Sequence, residues 1–122
     1  MVTDAALRCK AGALREEPNK QFELGVCYFE GDGVPKNRPE ACRLFRLAAN
    51  RGHSDAQNNL GWCYEKGNGI LQDSAEARRW YRLAADQGNV DAQLNLGICY
   101  EKGIGVLQDS AVAADQGNSG AQ

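Results

Sequence analysis

The sequence has little excess charge, no long apolar segment and a single histidine, and these absences exclude several classes of function. Its 122 residues include 14 basic and 16 acidic side chains, which leaves a net charge of -2. Such a charge is too small to hold nucleic acid or an anionic membrane surface. No run of 18 apolar residues occurs, so no transmembrane helix is predicted. We therefore expect neither nucleic acid nor a membrane as a partner.

Signals for targeting, metal binding and catalysis are also missing. The segment 1–17 has neither a long apolar core nor a clear cleavage site, which favours a cytoplasmic location. No CxxC pair, phosphate-binding loop or nucleophile motif occurs, so the sequence predicts no metal site, no cofactor and no enzyme. His53 falls in a predicted turn and is expected to be a turn or cap residue. A cysteine–histidine pair would need Cys42, which is expected to lie outside the heavily packed face of its helix.

What the sequence has in abundance is internal repetition, with a period of 36 residues. The segment QNNLGWCYEKGNGILQDSAEARRWYRLAADQGNVDA (57–92) repeats QFELGVCYFEGDGVPKNRPEACRLFRLAANRGHSDA (21–56), and QLNLGICYEKGIGVLQDSA (93–111) begins the pattern a third time. A fixed period of this length is typical of an array in which each unit buries its apolar face against its neighbours. The sequence therefore predicts an all-α fold, a single solenoid of helical hairpins.

Apolar spacing predicts the first helix of each hairpin. In the second repeat, Ala56, Leu60, Cys63 and Tyr64 follow the i, i+4, i+7, i+8 spacing of one helical face. This spacing predicts a helix over 55–66 whose buried side carries these four residues. In the first repeat, Pro18 and the residue after it break the preceding segment and are expected to start the corresponding helix.

A glycine-rich inner loop separates the two helices of a hairpin. Gly67 and Gly69 are expected to end the first helix and to adopt positive φ, so that the chain can reverse. A residue able to cap a helix is followed three positions later by glutamate in both complete repeats, which resembles a capping box: Asn37 with Glu40, and Asp73 with Glu76. The second helix then presents an apolar stripe in which an aromatic pair supplies most of the buried area: Ala77, Trp80, Tyr81, Ala84 and Ala85.

Three of the five cysteines occupy equivalent positions in successive repeats: Cys27, Cys63 and Cys99. Packed helices lie about 8–10 Å apart, so these positions are expected to exceed the roughly 7 Å Cα separation that a disulfide tolerates. We expect small buried thiols that fill a tight helix interface. Such cysteines suit a reducing compartment.

The repeat resembles that of the Sel1-like repeat (SLR) family, relatives of the tetratricopeptide repeat. The resemblance rests on AQxxLGxxYExGxGVxxDxxxAxxWYRxAAxxGxxxA, which is almost complete in the second repeat and covers roughly residues 20–122. It implies a right-handed α/α superhelix and a role as an adaptor or scaffold in protein complexes. One bacterial branch of the family joins each hairpin by paired cysteines. This chain has alanines at those positions, so those disulfides are not carried over.

The period divides the chain into a degenerate capping helix and three repeats. We assign the cap to 1–19, repeat 1 to 20–55, repeat 2 to 56–91 and repeat 3 to 92–120. Repeat 3 reads DSAVAADQGN where repeat 2 reads DSAEARRWYRLAADQGN, so seven residues and the Trp-Tyr pair are absent. We expect a frayed or partner-dependent carboxyl end around 112–116. The sequence ends where a fourth repeat would begin, as expected of a fragment of a longer array.

The side of each first helix opposite the buried stripe is the candidate partner-binding surface. Its residues vary between repeats, and in the family's architecture this side lines the concave groove. An apolar stripe with aromatic anchors and a polar rim is typical of peptide-binding grooves. We predict that a protein or peptide partner, either a helix or an extended segment, binds ten residues: Phe22, Val26, Phe29, Asn58, Asn59, Trp62, Glu65, Leu94, Asn95 and Ile98.

Two alternatives remain open at this point. The aromatic residues, Trp62 above all, are also explained as packing between neighbouring first helices along a tightly curved inner wall. The second alternative concerns the molecule rather than the groove. The shortened third repeat leaves apolar residues around Leu96 and Tyr100 under-covered, which favours a homo-oligomer formed through the carboxyl end.

Overall fold

The structure, a computed structural model, describes residues 7–8, 10–11, 13 and 16–103. From Pro18 onward, five helices of 13 residues follow one another, and no strand occurs among the described residues. Their bounds are α1 Pro18–Glu30, α2 Arg38–Asn50, α3 Ser54–Lys66, α4 Ser74–Asp86 and α5 Val90–Lys102. The predicted first helix of repeat 2 is confirmed to within one residue at its start.

Each helix packs against the next one in sequence. Helices α1 and α2 form the first hairpin, α3 and α4 form the second, and α5 is the first helix of the third. The contacts of α2 with α3 and of α4 with α5 stack the hairpins in file. The predicted all-α class and the array of stacked helical hairpins are confirmed.

The inner loops reverse the chain through glycines with positive φ, as predicted. Gly67 and Gly69 have φ values of 66° and 81°, a region that is open to glycine and strained for other residues. A backbone hydrogen bond then closes each loop. In the second hairpin the amide of Asp73 donates to the carbonyl of Tyr64 at 3.0 Å. The amide of Asn37 donates to Tyr28 in the same way, at 2.8 Å.

The capping boxes form only in part. The side chains of Asn37 and Asp73 each accept the backbone amide three residues on, at 3.1 Å, as predicted. The glutamate of each box was expected to bond back to the amide of the capping residue, but it pairs with an arginine instead. The physical reason is that the amides of Asn37 and Asp73 already donate to Tyr28 and Tyr64 in closing the loop.

A repeated glutamine joins one hairpin to the next. The side-chain amide of Gln57 donates to the carbonyl of Ala49 at 3.1 Å, near the end of α2. Gln93 makes the equivalent bond to Ala85 at 3.3 Å, near the end of α4. Gln57 is buried, and its side-chain amide is a second donor to a carbonyl that also accepts the backbone amide of Gly52 at 3.0 Å.

The core runs between the helices as a continuous layer of alanine and aromatic side chains. Leu60 and Cys63 are fully buried and Tyr64 is 8% exposed, as the helical spacing predicted. Trp80 and Tyr81 are buried as well, which confirms that they belong to the apolar stripe of the second helix. Cys99 is fully buried and Cys27 is half-buried.

The two ends of the chain lie largely outside the described residues. Of the predicted cap, residues 7, 8, 10, 11 and 13 are helical, and Ala13 packs against Leu24 and Leu44. The predicted fraying around 112–116 falls entirely outside the described part. The repeat boundaries stay predictions.

Candidate partner-binding surface

A cleft of about 280 Å³ opens between α1 and α3 on the side predicted to bind a partner. Its lining is mainly apolar, with one carboxylate and one amide at the rim: Val26, Phe29, Glu30, Phe45, Asn59, Trp62 and Cys63. Four of the ten predicted residues therefore meet at this cleft: Val26, Phe29, Asn59 and Trp62.

The aromatic walls of the cleft are held by contacts across the helices. Phe29 packs edge-on against Trp62, with ring centroids 5.7 Å apart, and its ring lies 6.3 Å from that of Phe45. The guanidinium of Arg38 covers Phe29 at 4.3 Å from the ring centroid, and the same group donates to the side-chain oxygen of Asn68 at 2.9 Å. Trp62 thus packs against the neighbouring first helix and also lines the cleft.

Phe22 lies on α1, one of the two helices that border the cleft, but it does not line the cleft. Its ring stacks on His53 at 4.7 Å and approaches Phe45 at 5.9 Å. The imidazole Nδ1 of His53 accepts the amide of Ala56 at 3.1 Å, so His53 is the amino-terminal cap of α3. The prediction of a turn or cap residue is confirmed.

The structure corrects the expectation for Cys42. This residue is buried, at 3% exposure, and its thiol donates to the carbonyl of Asn68 at 3.2 Å. The helical pattern missed this because the contact comes from the inner loop of the next hairpin, which packs over α2. A hydrogen bond with Cys42, followed by burial, raises the pKa of Cys63. Burial also raises the pKa of Cys99.

Four further predicted residues lie on α3 and α5 beside the cleft. The side-chain amide of Asn95 donates to the side-chain oxygen of Asn58 at 3.0 Å, which links the two helices. Leu94 is 64% exposed, and Ile98 is half-buried. These four residues continue the surface from α3 to α5 without lining the cleft.

Glu65 is engaged with the second helix of its own hairpin. Its carboxylate accepts the hydroxyl of Tyr81 at 2.7 Å and lies 3.8 Å from the ammonium group of Lys66. Only 16% of the Glu65 side chain is exposed. Burial, and then the hydrogen bond to this carboxylate, raise the pKa of Tyr81.

Sequence reasoning missed three residues of the cleft: Glu30, Phe45 and Cys63. Cys63 was assigned to the buried side of its helix, and Phe45 is the first-repeat equivalent of the buried Tyr81, so both also belong to the core. For Glu30 a signal was present, because the equivalent positions of the later repeats carry Lys66 and Lys102. A reversal of charge at one position of a repeat indicates that this position is specific to its own repeat.

The described residues bring no three potential metal ligands together. None of the helices in this part of the chain has the length and apolar character that crossing a bilayer requires.

The family model of the Sel1 repeat matches the sequence three times, at residues 21–53, 54–89 and 90–118. The chain belongs to the Sel1 repeat family. Sel1 repeat proteins are generally protein-interaction scaffolds, and the family is typically non-catalytic. No curated protein sequence matches the chain significantly.

Two solved structures show the same fold. One is c5321, a protective antigen present in uropathogenic Escherichia coli strains and displaying an SLR fold. It is 38% identical over 80% of this chain, with a TM-score of 0.79. The other is a Sel1 repeat protein from Oxalobacter formigenes, 40% identical over 75% of this chain, with a TM-score of 0.73. This chain spans 21% and 38% of the lengths of these two proteins.

Proposed function

We propose that this Sel1 repeat chain is an adaptor module that binds a segment of another protein in the groove along its first helices. The anchor point is the cleft between α1 and α3. Its occupant is an apolar side chain, and the residue next to that side chain is a lysine or arginine. The observation that carries the proposal is the composition of the lining, in which Val26, Phe29 and Trp62 form apolar walls and Glu30 supplies the carboxylate.

The size of the cleft supports a peptide anchor over a free small molecule. The cleft measures about 280 Å³, which is room for one large side chain and lies at the lower end of the roughly 300–1,000 Å³ that pockets for drug-sized ligands occupy. Binding energy at protein interfaces concentrates in a few desolvated side chains that fill such pockets. The amide of Asn59 and the carboxylate of Glu30 form the polar rim that fixes the orientation of a bound segment.

The charge at the rim predicts the sequence of the partner. Glu30 is exposed and is the one charged residue in the lining. An arginine or lysine placed beside the anchor gains a charge-assisted hydrogen bond there. Beyond the anchor, the partner segment continues across Asn58 and Asn95 toward Leu94 and Ile98 on α5.

A phage-displayed library of random peptides, selected against the full chain, tests this proposal. We expect enrichment of peptides with an apolar residue next to lysine or arginine. The variant Glu30→Lys should select acidic neighbours instead, and it should fold normally because lysine occupies the equivalent positions of the other repeats. The matched control, Lys66→Glu, makes the opposite change outside the cleft lining and should leave the selection unchanged.

Affinity measurements with the enriched peptide complete the test. Trp62→Ala should weaken binding by about tenfold or more, as expected for truncation of a central aromatic anchor. Circular dichroism should show that the helices remain. If no peptide sequence is enriched, or if Glu30→Lys enriches the same sequences as the parent chain, the cleft is only a packing feature of the inner wall.

Self-assembly through the carboxyl end is the second candidate function. The observation that favours it is the apolar exposure of α5, where Val90 is 74% and Leu94 is 64% exposed. Light scattering over a range of concentrations separates the two functions. A mass that rises with concentration favours assembly, and a constant monomer mass favours the adaptor.

A further inference from the structure

One face of α3 is covered by the helices on either side of it, and the same face of α5 is exposed. Gly61 and Glu65 meet Tyr81 of α4. The hydroxyl of Tyr64, in contrast, accepts from Arg46 of α2, as that of Tyr100 accepts from Arg82 of α4. In α3 the face is formed by four buried or half-buried residues: Gln57, Gly61, Tyr64 and Glu65. Their equivalents in α5 are all exposed, and we call them the open face: Gln93, Gly97, Tyr100 and Glu101. The two faces have the same sequence, so the covered one serves as a template for what the open one binds.

The template begins with a ring packed on a glycine. In the first hairpin the ring of Phe45 lies against Gly25, and in the second the ring of Tyr81 lies against Gly61. A Cβ atom at either glycine would come within 2.8 Å of the ring. Gly97 occupies the same position in α5, and among the described residues no atom lies within 4 Å of the corresponding Cβ site. Gly97 therefore leaves space on the open face for an aromatic ring, as Gly61 does on α3.

A second residue specifies which aromatic ring fits. In the second hairpin the hydroxyl of Tyr81 donates to Glu65 at 2.7 Å. In the first hairpin the position of Glu65 is taken by Phe29, and the ring on the glycine is Phe45, which has no hydroxyl. The second hairpin thus pairs a carboxylate with a tyrosine hydroxyl. The first hairpin pairs two phenylalanine rings at the same two positions. In α5 the position carries Glu101, which selects tyrosine.

The segment that follows α5, residues 104–122, does not supply this ring. Residues 104–122 contain no phenylalanine, tyrosine or tryptophan. Close approach at the covered face also requires small residues beside the ring, because the carbonyl of Ala77 would lie 3.1 Å from a Cβ at Gly61. The template helix accordingly reads alanine, three residues, tyrosine, two residues and alanine at 77, 81 and 84.

We propose that the open face of α5 docks a helix from another polypeptide, with a tyrosine ring packed on Gly97 and its hydroxyl donated to Glu101. The docking helix carries alanine four residues before and three residues after the tyrosine. This surface is separate from the cleft between α1 and α3, and it does not depend on the function proposed for that cleft.

A labelled peptide with the sequence of residues 73–89 is the probe, because it contains the template helix α4. We expect saturable binding to the full chain by fluorescence anisotropy. An isolated helix of this length is marginal in water, so binding should also increase helicity. A peptide with Tyr81→Ala should bind at least tenfold more weakly, and one with Tyr81→Phe several-fold more weakly.

Two variants of the full chain test the assigned residues. Gly97→Ala should weaken the binding of the peptide by tenfold or more. Circular dichroism should show an intact fold, because the added Cβ meets no described atom. Glu101→Ala should abolish the preference for the tyrosine peptide over the phenylalanine peptide. The control Leu71→Ala, at a position 88% exposed outside the open face, should change nothing.

Equal affinity of the tyrosine and alanine peptides would overturn the proposal, as would tight binding to Gly97→Ala. Concentration-dependent self-association that the peptide does not reverse would also overturn it. In that case a second copy of this chain covers the open face.

Discussion

Single glycines in the middle of the first helices decide how closely the hairpins pack. Glycine is unfavourable in a helix interior because of its conformational freedom, so its presence there calls for a reason. At Gly61 the reason is the ring of Tyr81, which lies where a side chain would be. At Gly97 the described residues offer no such reason.

Alanine at these two glycines should therefore have opposite effects on stability. Gly61→Ala forces Tyr81, which is fully buried, to move, and overpacking of this kind costs about 1–3 kcal/mol. Gly97→Ala meets no described atom and should stabilise the chain by about 0.5–1 kcal/mol through helix propensity. Urea unfolding of the two variants and the parent measures both changes.

The comparison is internally controlled, because the substitution and the helical position are the same in both variants. A loss of stability in Gly97→Ala as large as that in Gly61→Ala would mean that the face of α5 is already packed.

Residue-scale features were predictable where they depend on one helix. The spacing of Leu60, Cys63 and Tyr64 was enough to assign the buried stripe of α3. The carboxylate of Glu65 was not predictable in this way, because its partner Tyr81 comes from another helix. Cys42 was wrongly expected outside the packed face for the same kind of reason, since the covering loop belongs to the next hairpin.

At the scale of the element, each second helix is started by a side chain that caps it. Asp73 accepts the amide of Glu76 and in addition uses its own amide to close the inner loop on Tyr64. One residue thus fixes both the start of α4 and the reversal before it. The glutamate that completes the sequence pattern is left to pair with Arg79, which lowers the pKa of Glu76.

Removing this cap should destabilise the second hairpin. Asp73→Ala loses the side-chain acceptor and should cost about 0.5–2 kcal/mol, the range measured for helix caps. Asp73→Asn should retain most of the stability, because Asn37 performs the same role in the first hairpin. Thermal and urea unfolding check both expectations. Equal losses in the two variants would indicate that charge, rather than the acceptor, is what α4 requires.

Elements were the most predictable level of this structure. The starts and ends of helices depend on a few neighbouring residues, so Gly67 placed the end of α3 and Asp73 the start of α4 correctly. The cleft was predictable only in part, because it depends on the distance between α1 and α3. A helical wheel gives the direction of Val26 and Trp62 but not the space between them.

For the whole molecule, the decisive feature is that the described residues include one first helix that is covered, α3, and one whose equivalent face is exposed, α5. In a repeat array, stability is close to the sum of unit stabilities and the contacts between neighbours. The seven residues that repeat 3 lacks include the aromatic pair that covers the first helix in repeat 2. Restoring them should therefore complete the last unit.

Insertion of the segment EARRWYR between Ala111 and Val112 should stabilise the chain. Each aromatic side chain buries about 150–250 Å², and we expect a gain of about 2 kcal/mol or more after the loss of chain entropy. The urea dependence of unfolding should also steepen, because more surface is exposed on unfolding. The same insertion with serine at both aromatic positions is the control. Equal stabilisation by the control would show that length alone is responsible.

The glutamine bonds between hairpins have a consequence for how such a protein changes in length. Gln57 and Gln93 each hold a backbone carbonyl of the preceding helix, and a carbonyl is present whatever the side chain at that position. Joining one repeat to a copy of another therefore forms the same glutamine-to-carbonyl hydrogen bond between hairpins, without any compensating substitution. Duplication or deletion of whole 36-residue segments of the gene should then yield folded products, while individual groove residues diverge independently.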